Sequence, residues 1–208
     1  MASLAASGPH ETRYLASFVG CMSNQAVRLR LLEIRDESFW IVDNTEAFLS
    51  AIRGGRDDEL DRLKRQYAER LAASQFVLCP RGYGTSSIRL FEAMEMGRAA
   101  VVLSDLWVPP EGPRWEDFII RVRERDARKL PAILREHEGT SAARGESARR
   151  AWKEWYSPDR LFHNLCATCE DMLQRRRVPE WATRWLCYLH FARPSHARRL
   201  LRGLRRRA

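Results

Sequence analysis

No stretch of this 208-residue chain approaches 18 consecutive apolar residues, so no membrane-spanning helix is predicted. Residues 1–10 have neither a basic start nor a sustained apolar run, so residues 1–13 read as a loose leader and not as a secretory signal. Five cysteines (Cys21, Cys79, Cys166, Cys169 and Cys187) make an odd number scattered through apolar stretches. That pattern fits a reducing compartment, and a cytoplasmic location is the expectation. Cys166-x-x-Cys169 lacks the second pair that a zinc site needs, and its phase with Leu165 on one predicted helix argues for two buried or half-buried thiols. The five histidines fall in the leader, the predicted helices or the tail, and no metal site is expected. Also missing are the G-x-G-x-x-G of a dinucleotide fold and the lysine of a P-loop. There are no internal repeats.

What is present suffices for a folded domain. Apolar residues make up 45% of the chain, ample for a core, and the length suits one domain or one with an appendage. The net charge of +9 is concentrated at one end. Residues 171–208 hold eleven arginines against two acidic residues, while the rest of the chain is balanced at 25 of each sign.

The organising stretch is FVLCPRGYGTSSIRLFEAMEMGRAAVVLSD, residues 76–105. Phe76, Val77 and Leu78 form the apolar run of a buried strand, and Pro80 ends it. Gly82 and Gly84 permit a tight turn close to a ligand. Thr85, Ser86 and Ser87 are capable helix N-caps ahead of a periodic segment at 88–96. Gly97 marks the left-handed stop, residues 100–103 the next strand, and Asp105 its carboxyl edge. Strand, turn, helix, strand is half of a doubly wound α/β unit, in which ligands bind at strand carboxyl ends and anions at helix N-termini. Arg81 suits a phosphate, and Glu92 suits the two hydroxyls of a ribose, because a carboxylate only accepts hydrogen bonds. A second reading of Arg89 and Glu92 stands beside this one: as i,i+3 neighbours they could simply pair on a solvated face.

Elsewhere the spacing predicts a strand at 15–19, followed by Gly20, which could approach a ligand, and an amphipathic helix at 27–34. It also predicts a strand at 39–42, a helical turn at 45–52, and a helix from Asp57 with Leu60, Leu63, Tyr67 and Leu71 as its stripe. Tyr67 is expected in the core. The proline-rich run 106–113 follows the strand end at Asp105; Trp107 there could stack on a base or sugar, or simply anchor the loop. A strand at 118–122 precedes a helix from Asp126 to Leu134, with Pro131 near its start. Ser157-Pro158-Asp159 opens a further helix. In the tail, aromatics at Trp181, Trp185 and Tyr188 are flanked by arginines. Three readings fit: an interfacial helix on anionic lipid through residues 175–207, contact with nucleic-acid phosphates, or aromatics packed on the domain with only the arginines exposed.

The segment CPRGYGTSSIRLFEAMEMGRAAVVLSDLWVPPEG resembles the donor-binding signature of exostosin-type glycosyltransferases, the GT47 family. The matching features are Pro80-Arg81-Gly82, the serines before Arg89, Glu92-Ala93, Gly97, and the strand leading into Ser104-Asp105 and Pro109-Pro110. YLASFVG at 14–20, followed by Arg28, resembles the opening of the same domain. The resemblance implies a GT-B enzyme: two Rossmann-like domains facing a cleft, moving a sugar from a nucleotide-diphosphate donor, usually UDP-linked, to a glycan or other hydroxyl acceptor. Inversion at the transferred carbon is implied, and no metal or other cofactor is required. Carried over, Arg81 and Arg89 hold the diphosphate, Gly82, Ser86 and Ser87 line its end, and Glu92 binds the ribose. Ala100 replaces the proline more often found before the strand valines.

A complete two-domain enzyme would run to roughly 350–400 residues, given domains of about 100–150 or more. The expectation is therefore the C-terminal, donor-binding half (14–170), a Rossmann-like parallel sheet with helices on both faces. A basic tail follows (171–208), and an N-terminal-domain partner chain would supply the acceptor side. Asp105 is the one local candidate for the general base. Two other functional classes compete with the enzyme: a non-catalytic nucleotide-sugar-binding remnant or subunit, and, more remotely, a nucleic-acid-binding protein through the tail.

Overall fold

The structure is a computed structural model and describes residues 12–22, 25–176 and 178–191. The leader at 1–11 and the arginines at 177 and 193–207 lie outside those residues. The chain divides into two compact units, one ending at Phe162 and one beginning at His163.

The first unit is a doubly wound α/β domain. Its elements run β1 (Tyr14–Val19), α1 (Ala26–Leu31), β2 (Phe39–Val42), α2 (Thr45–Arg53), α3 (Asp57–Ala72), β3 (Ser74–Pro80), α4 (Arg89–Glu95), β4 (Ala99–Leu103), β5 (Ile119–Arg121), α5 (Leu130–Glu136) and α6 (Ser141–Trp155). A further helix, α7 (Pro158–Gln174), carries the chain into the second unit, which continues with α8 (Glu180–Phe191). All five strands are parallel, in the order β2-β1-β3-β4-β5. The winding reverses between β1 and β3, and a crevice opens at such a reversal on the carboxyl side of the sheet.

Strand alternation sorts the core into two layers. Phe76 and Leu78 of β3, with Ala99, Val101 and Leu103 of β4, face the layer of α1 and α5. Val77, Cys79, Ala100 and Val102 face the layer of α3, α4 and α6. Both faces are covered, so β4 reads as an unbroken apolar run, AAVVL, buried throughout. The predicted strand at 39–42 and the helix from Asp57 form where the periodicity placed them, and the run 76–78 lies within β3, which starts earlier, at Ser74, and ends at Pro80. Pro131 is the second residue of α5, after a 3-10 turn at Glu124–Lys129, so the break falls at Lys129.

Three local expectations are corrected. None of Thr85, Ser86 or Ser87 caps α4: the backbone is already right-handed at Ile88, so Leu90 N–H and Phe91 N–H are taken by the Ser87 and Ile88 carbonyls instead. Cys166 and Cys169 are exposed, because no residue of α7 is buried. Tyr67 is only partly a core residue, since its hydroxyl is spent on Glu92. Trp107 settles as the anchored alternative: it is 4% exposed and packs edge-on against Trp115 at 5.3 Å. Among the described residues no helix is long and apolar enough to cross a membrane.

Gly97 does stop α4, at φ 66°, with Arg98 N–H closing back on the Ala93 carbonyl. Helix α6 then crosses this turn at backbone contact. A Cβ on Gly145 would lie 2.2 Å from the Gly97 carbonyl oxygen, and the obstacle is main chain that cannot swing aside. Gly145→Ala is therefore expected to destabilise the domain by about 1–3 kcal/mol, despite alanine's better helix propensity. Gly139→Ala, where a Cβ would meet nothing within 4 Å, serves as the control and should leave the urea midpoint nearly unchanged. Equal midpoints for the two variants would show that α6 does not sit against that turn.

Candidate functional site

Parallel strands end in carbonyls that the next strand cannot satisfy, and buried carbonyls need donors. At the reversal between β1 and β3, two arginines supply them. Arg28, on α1 and only 6% exposed, donates Nε–H to the Arg81 carbonyl (2.9 Å), Nη1–H to that of Cys21 (2.7 Å) and Nη2–H to that of Pro80 (3.5 Å). Arg89, the first residue of α4, donates Nε–H and Nη2–H to the single carbonyl of Val19, at 2.9 and 2.6 Å. The fully buried ring of Phe18 sits under both guanidinium groups, at 4.7 Å from Arg89 and 5.5 Å from Arg28. Burial, and secondarily the charge of Arg89, lowers the pKa of Arg28 from its ordinary value.

Gly20 has a clear structural reason. A Cβ there would lie 2.0 Å from Nη2 of Arg89, so the close approach read from the sequence is made by Arg89. Gly82 is similarly confined: its Cβ would stand 3.2 Å from Nη2 of Arg28.

Arg81 leaves the end of β3 with its N–H bonded to the Leu103 carbonyl. Its Nη1 stands 3.8 Å from Oε1 of Glu124, and its Nε is buried with no hydrogen-bond partner among the described residues. Glu124, which follows β5, also accepts the Asp105 backbone N–H at 3.2 Å. Asp105 returns the contact by accepting the Glu124 N–H at 3.1 Å. Asp105 is exposed at the end of β4, where the sequence reading put it, and its carboxylate pins the start of the turn after β5. Ser104 and Ser87, by contrast, have buried hydroxyls without a hydrogen-bond partner among the described residues, and Ser86 is exposed. Three unsatisfied polar groups (Arg81 Nε, Ser87 Oγ, Ser104 Oγ) thus sit just past β3, ahead of α4 and just past β4. Buried polar groups are rarely left unpaired, and a polar ligand is one common reason.

Glu92 faces α3, where it accepts a short hydrogen bond from the Tyr67 hydroxyl. Burial, reinforced by the Glu92 charge, raises the Tyr67 pKa far above its ordinary value, so the phenol stays a donor and fixes the carboxylate. The reading of Arg89 and Glu92 as a mutual pair on a solvated face does not hold. Arg89 turns to the Val19 carbonyl and Glu92 to Tyr67. Cys79, beneath them, is a buried thiol whose pKa burial pushes up, and its S–H points to the Val77 carbonyl at 3.4 Å.

Three contributors escaped the sequence reading. Arg28 enters the sequence reading only through the resemblance; its local signal is a charge beside the apolar position Val27. Tyr67 carried no signal beyond a helical stripe. Glu124 had one: an acidic residue just after an apolar strand, at the same edge as Arg81 and Asp105.

Five parallel strands with helices on both faces and a winding reversal between β1 and β3 define a doubly wound, Rossmann-like α/β domain. More specifically, the chain belongs to the exostosin GT47 domain family, whose family model matches residues 2–137. Relatives include the Exostosin-1 homolog of Caenorhabditis elegans, 38% identical over 102 residues, which are 48% of this chain and 25% of that protein. The probable glucuronoxylan glucuronosyltransferase IRX7 of Arabidopsis thaliana is 40% identical over 70 residues, 33% of this chain and 16% of the relative. Ribitol-5-phosphate xylosyltransferase 1 of Danio rerio is 26% identical over 153 residues, 69% of this chain and 34% of the relative. The matches thus span a third or less of each of the first two relatives.

Replacing Arg28 by methionine keeps the apolar stem but strands the carbonyls of Cys21, Pro80 and Arg81. The expected cost is at least about 2 kcal/mol, since each unsatisfied buried group costs about 1–3. Arg28→Lys should recover only part of it, because an ammonium cannot span three carbonyls with a planar fork. Urea unfolding of both variants checks this, and a wild-type midpoint in Arg28→Met would show that water replaces the guanidinium at no cost.

Proposed function

We propose that this domain binds the diphosphate and ribose of a nucleotide-sugar, UDP-linked, and forms the donor side of a glycosyltransferase that acts on a glycan or other hydroxyl acceptor. The observation that carries the reading is the convergence of Arg28, Arg81 and Arg89 on the carboxyl ends of β1 and β3, with unsatisfied buried polar groups beside them. Membership of the exostosin family and the transferase names of several relatives support it.

Roles divide by what each side chain still has to offer. Arg28 and Arg89 have hydrogen bonds committed to carbonyls, so they contribute mainly field and rigidity. Arg81, with an unpaired Nε and only a 3.8 Å contact to Glu124, is the guanidinium that meets the diphosphate directly. Glu92, held in place by Tyr67, accepts the ribose hydroxyls, and Ser86, Ser87 and Gly82 border the phosphate end. As the sugar departs, negative charge grows on the diphosphate. A preorganised positive site whose dipoles are already oriented stabilises that change without reorganising. In this reading the domain occupies the C-terminal position of a GT-B enzyme, transfer is inverting, and Asp105 takes the acceptor proton from the exposed end of β4.

Calorimetry with UDP and with uridine tests the pocket. UDP should bind and uridine should bind far more weakly. Arg81→Ala and Glu92→Ala should each weaken UDP by roughly tenfold or more, the loss of one charge-assisted bond at about 1.5–3 kcal/mol. Unchanged UDP affinity in both variants would remove the donor from this edge. Asp105→Asn keeps an acceptor for the Glu124 N–H and so should preserve UDP affinity. With an acceptor-side domain supplied, transfer from a radiolabelled UDP-sugar should fall at least about 100-fold in that variant, and full activity would reassign the base.

A further inference from the structure

We infer that the helical unit beginning at His163 docks in the plane of an anionic membrane surface. The two helices present apolar side chains to solvent: Leu165 and Met172 on α7, and Trp181, Trp185, Leu186 and Leu189 on α8. Trp181 and Trp185 are 70% and 72% exposed, far beyond what a soluble surface leaves open for the largest apolar ring. Positions 181, 185 and 189 repeat at i, i+4 and i+8, which places them along one stripe of the helix. The turn between the helices is tied by Arg176 donating to the Thr183 hydroxyl, so both apolar stretches belong to one compact unit.

Charge selects the occupant. Residues 171–208 carry eleven arginines and two acids, and one of those acids, Asp171, is already paired with Arg175 at 2.8 Å. A second copy of the same surface would bring like charge to like charge. A nucleic acid would satisfy the arginines, but it has no use for a stripe in which leucine continues the tryptophans. An anionic lipid interface takes both: headgroups meet the arginines while the indoles and leucines enter the headgroup–acyl boundary. Tryptophan suits that depth, having an apolar body and one N–H donor. At about 1.5 Å per residue the twelve residues of α8 reach about 18 Å, short of a ~30 Å hydrocarbon core, so the helix lies along the surface.

The test is co-sedimentation of the full chain with phosphatidylcholine vesicles, with and without phosphatidylserine, at low and high sodium chloride. Binding should require phosphatidylserine and fall by an order of magnitude or more as salt shortens the screening length. Trp181→Ala/Trp185→Ala should weaken partitioning roughly tenfold or more at low salt. Both side chains are exposed, so the variant should fold and should bind UDP as the wild type does, which separates this inference from the donor reading. Equal binding to neutral vesicles, or undiminished binding by the double variant, would overturn it. So would light scattering that shows a dimer broken by the double variant, or tighter capture of a single-stranded RNA than of the vesicles.

Discussion

Everything at the working edge of this domain depends on how the open ends of β1 and β3 are finished. Two guanidinium groups lie over one buried phenylalanine ring, and like charges that close in a desolvated place repel. The repulsion is tolerated because each is held by main-chain oxygens: Arg28 by three carbonyls from two strand ends, Arg89 by two bonds to one. The carbonyls need donors as much as the arginines need acceptors, so the arrangement satisfies both at once. Arg81 stands beside them, with Glu124 the acid 3.8 Å from its Nη1. The phosphate affinity we propose would in this sense be a consequence of closing a parallel sheet with arginine.

The same economy of space recurs on the other face. Helix α6 reaches main-chain contact with the stop of α4 because Gly145 lacks a side chain there. Trp115 is buried between Trp107, Phe118 and Tyr156, and its N–H is spent on the Pro110 carbonyl. This cluster holds the proline-rich loop after β4 in place, which in turn fixes Ser104 and Asp105 at the edge. Tyr156 lies within this cluster, where burial pushes its phenol up to about 12.

Membership of the exostosin family fits these constraints without being needed to derive them. A donor with a diphosphate asks for positive charge, rigidity and a carboxylate, and in the reading proposed above Arg81 and Glu92 supply the charge and the carboxylate. Tyr67 matters here because a glutamate free to rotate would turn to Arg89 only three residues away. The phenol, kept protonated by burial, holds it toward α3 instead.

The central strands were legible from the chain alone, because parallel strands buried on both faces must be continuous apolar runs, as at 76–78 and 100–103. Gly97 as a helix stop and Arg81 and Asp105 as residues at strand ends were legible for the same reason: their positions follow from where strands and helices end. What the sequence could not determine was which partner each polar side chain takes. Arg28 lies 53 residues from the carbonyl of Arg81, Arg89 lies 70 from that of Val19, and Glu92 lies 25 from Tyr67. No local pattern encodes such pairings; they exist only once the sheet order 2-1-3-4-5 brings the ends of β1 and β3 side by side. The cap serines and the Cys166/Cys169 pair misled for the complementary reason, since residue type names a capacity for a hydrogen bond or for burial, and only the packed chain decides whether a partner or a core is within reach.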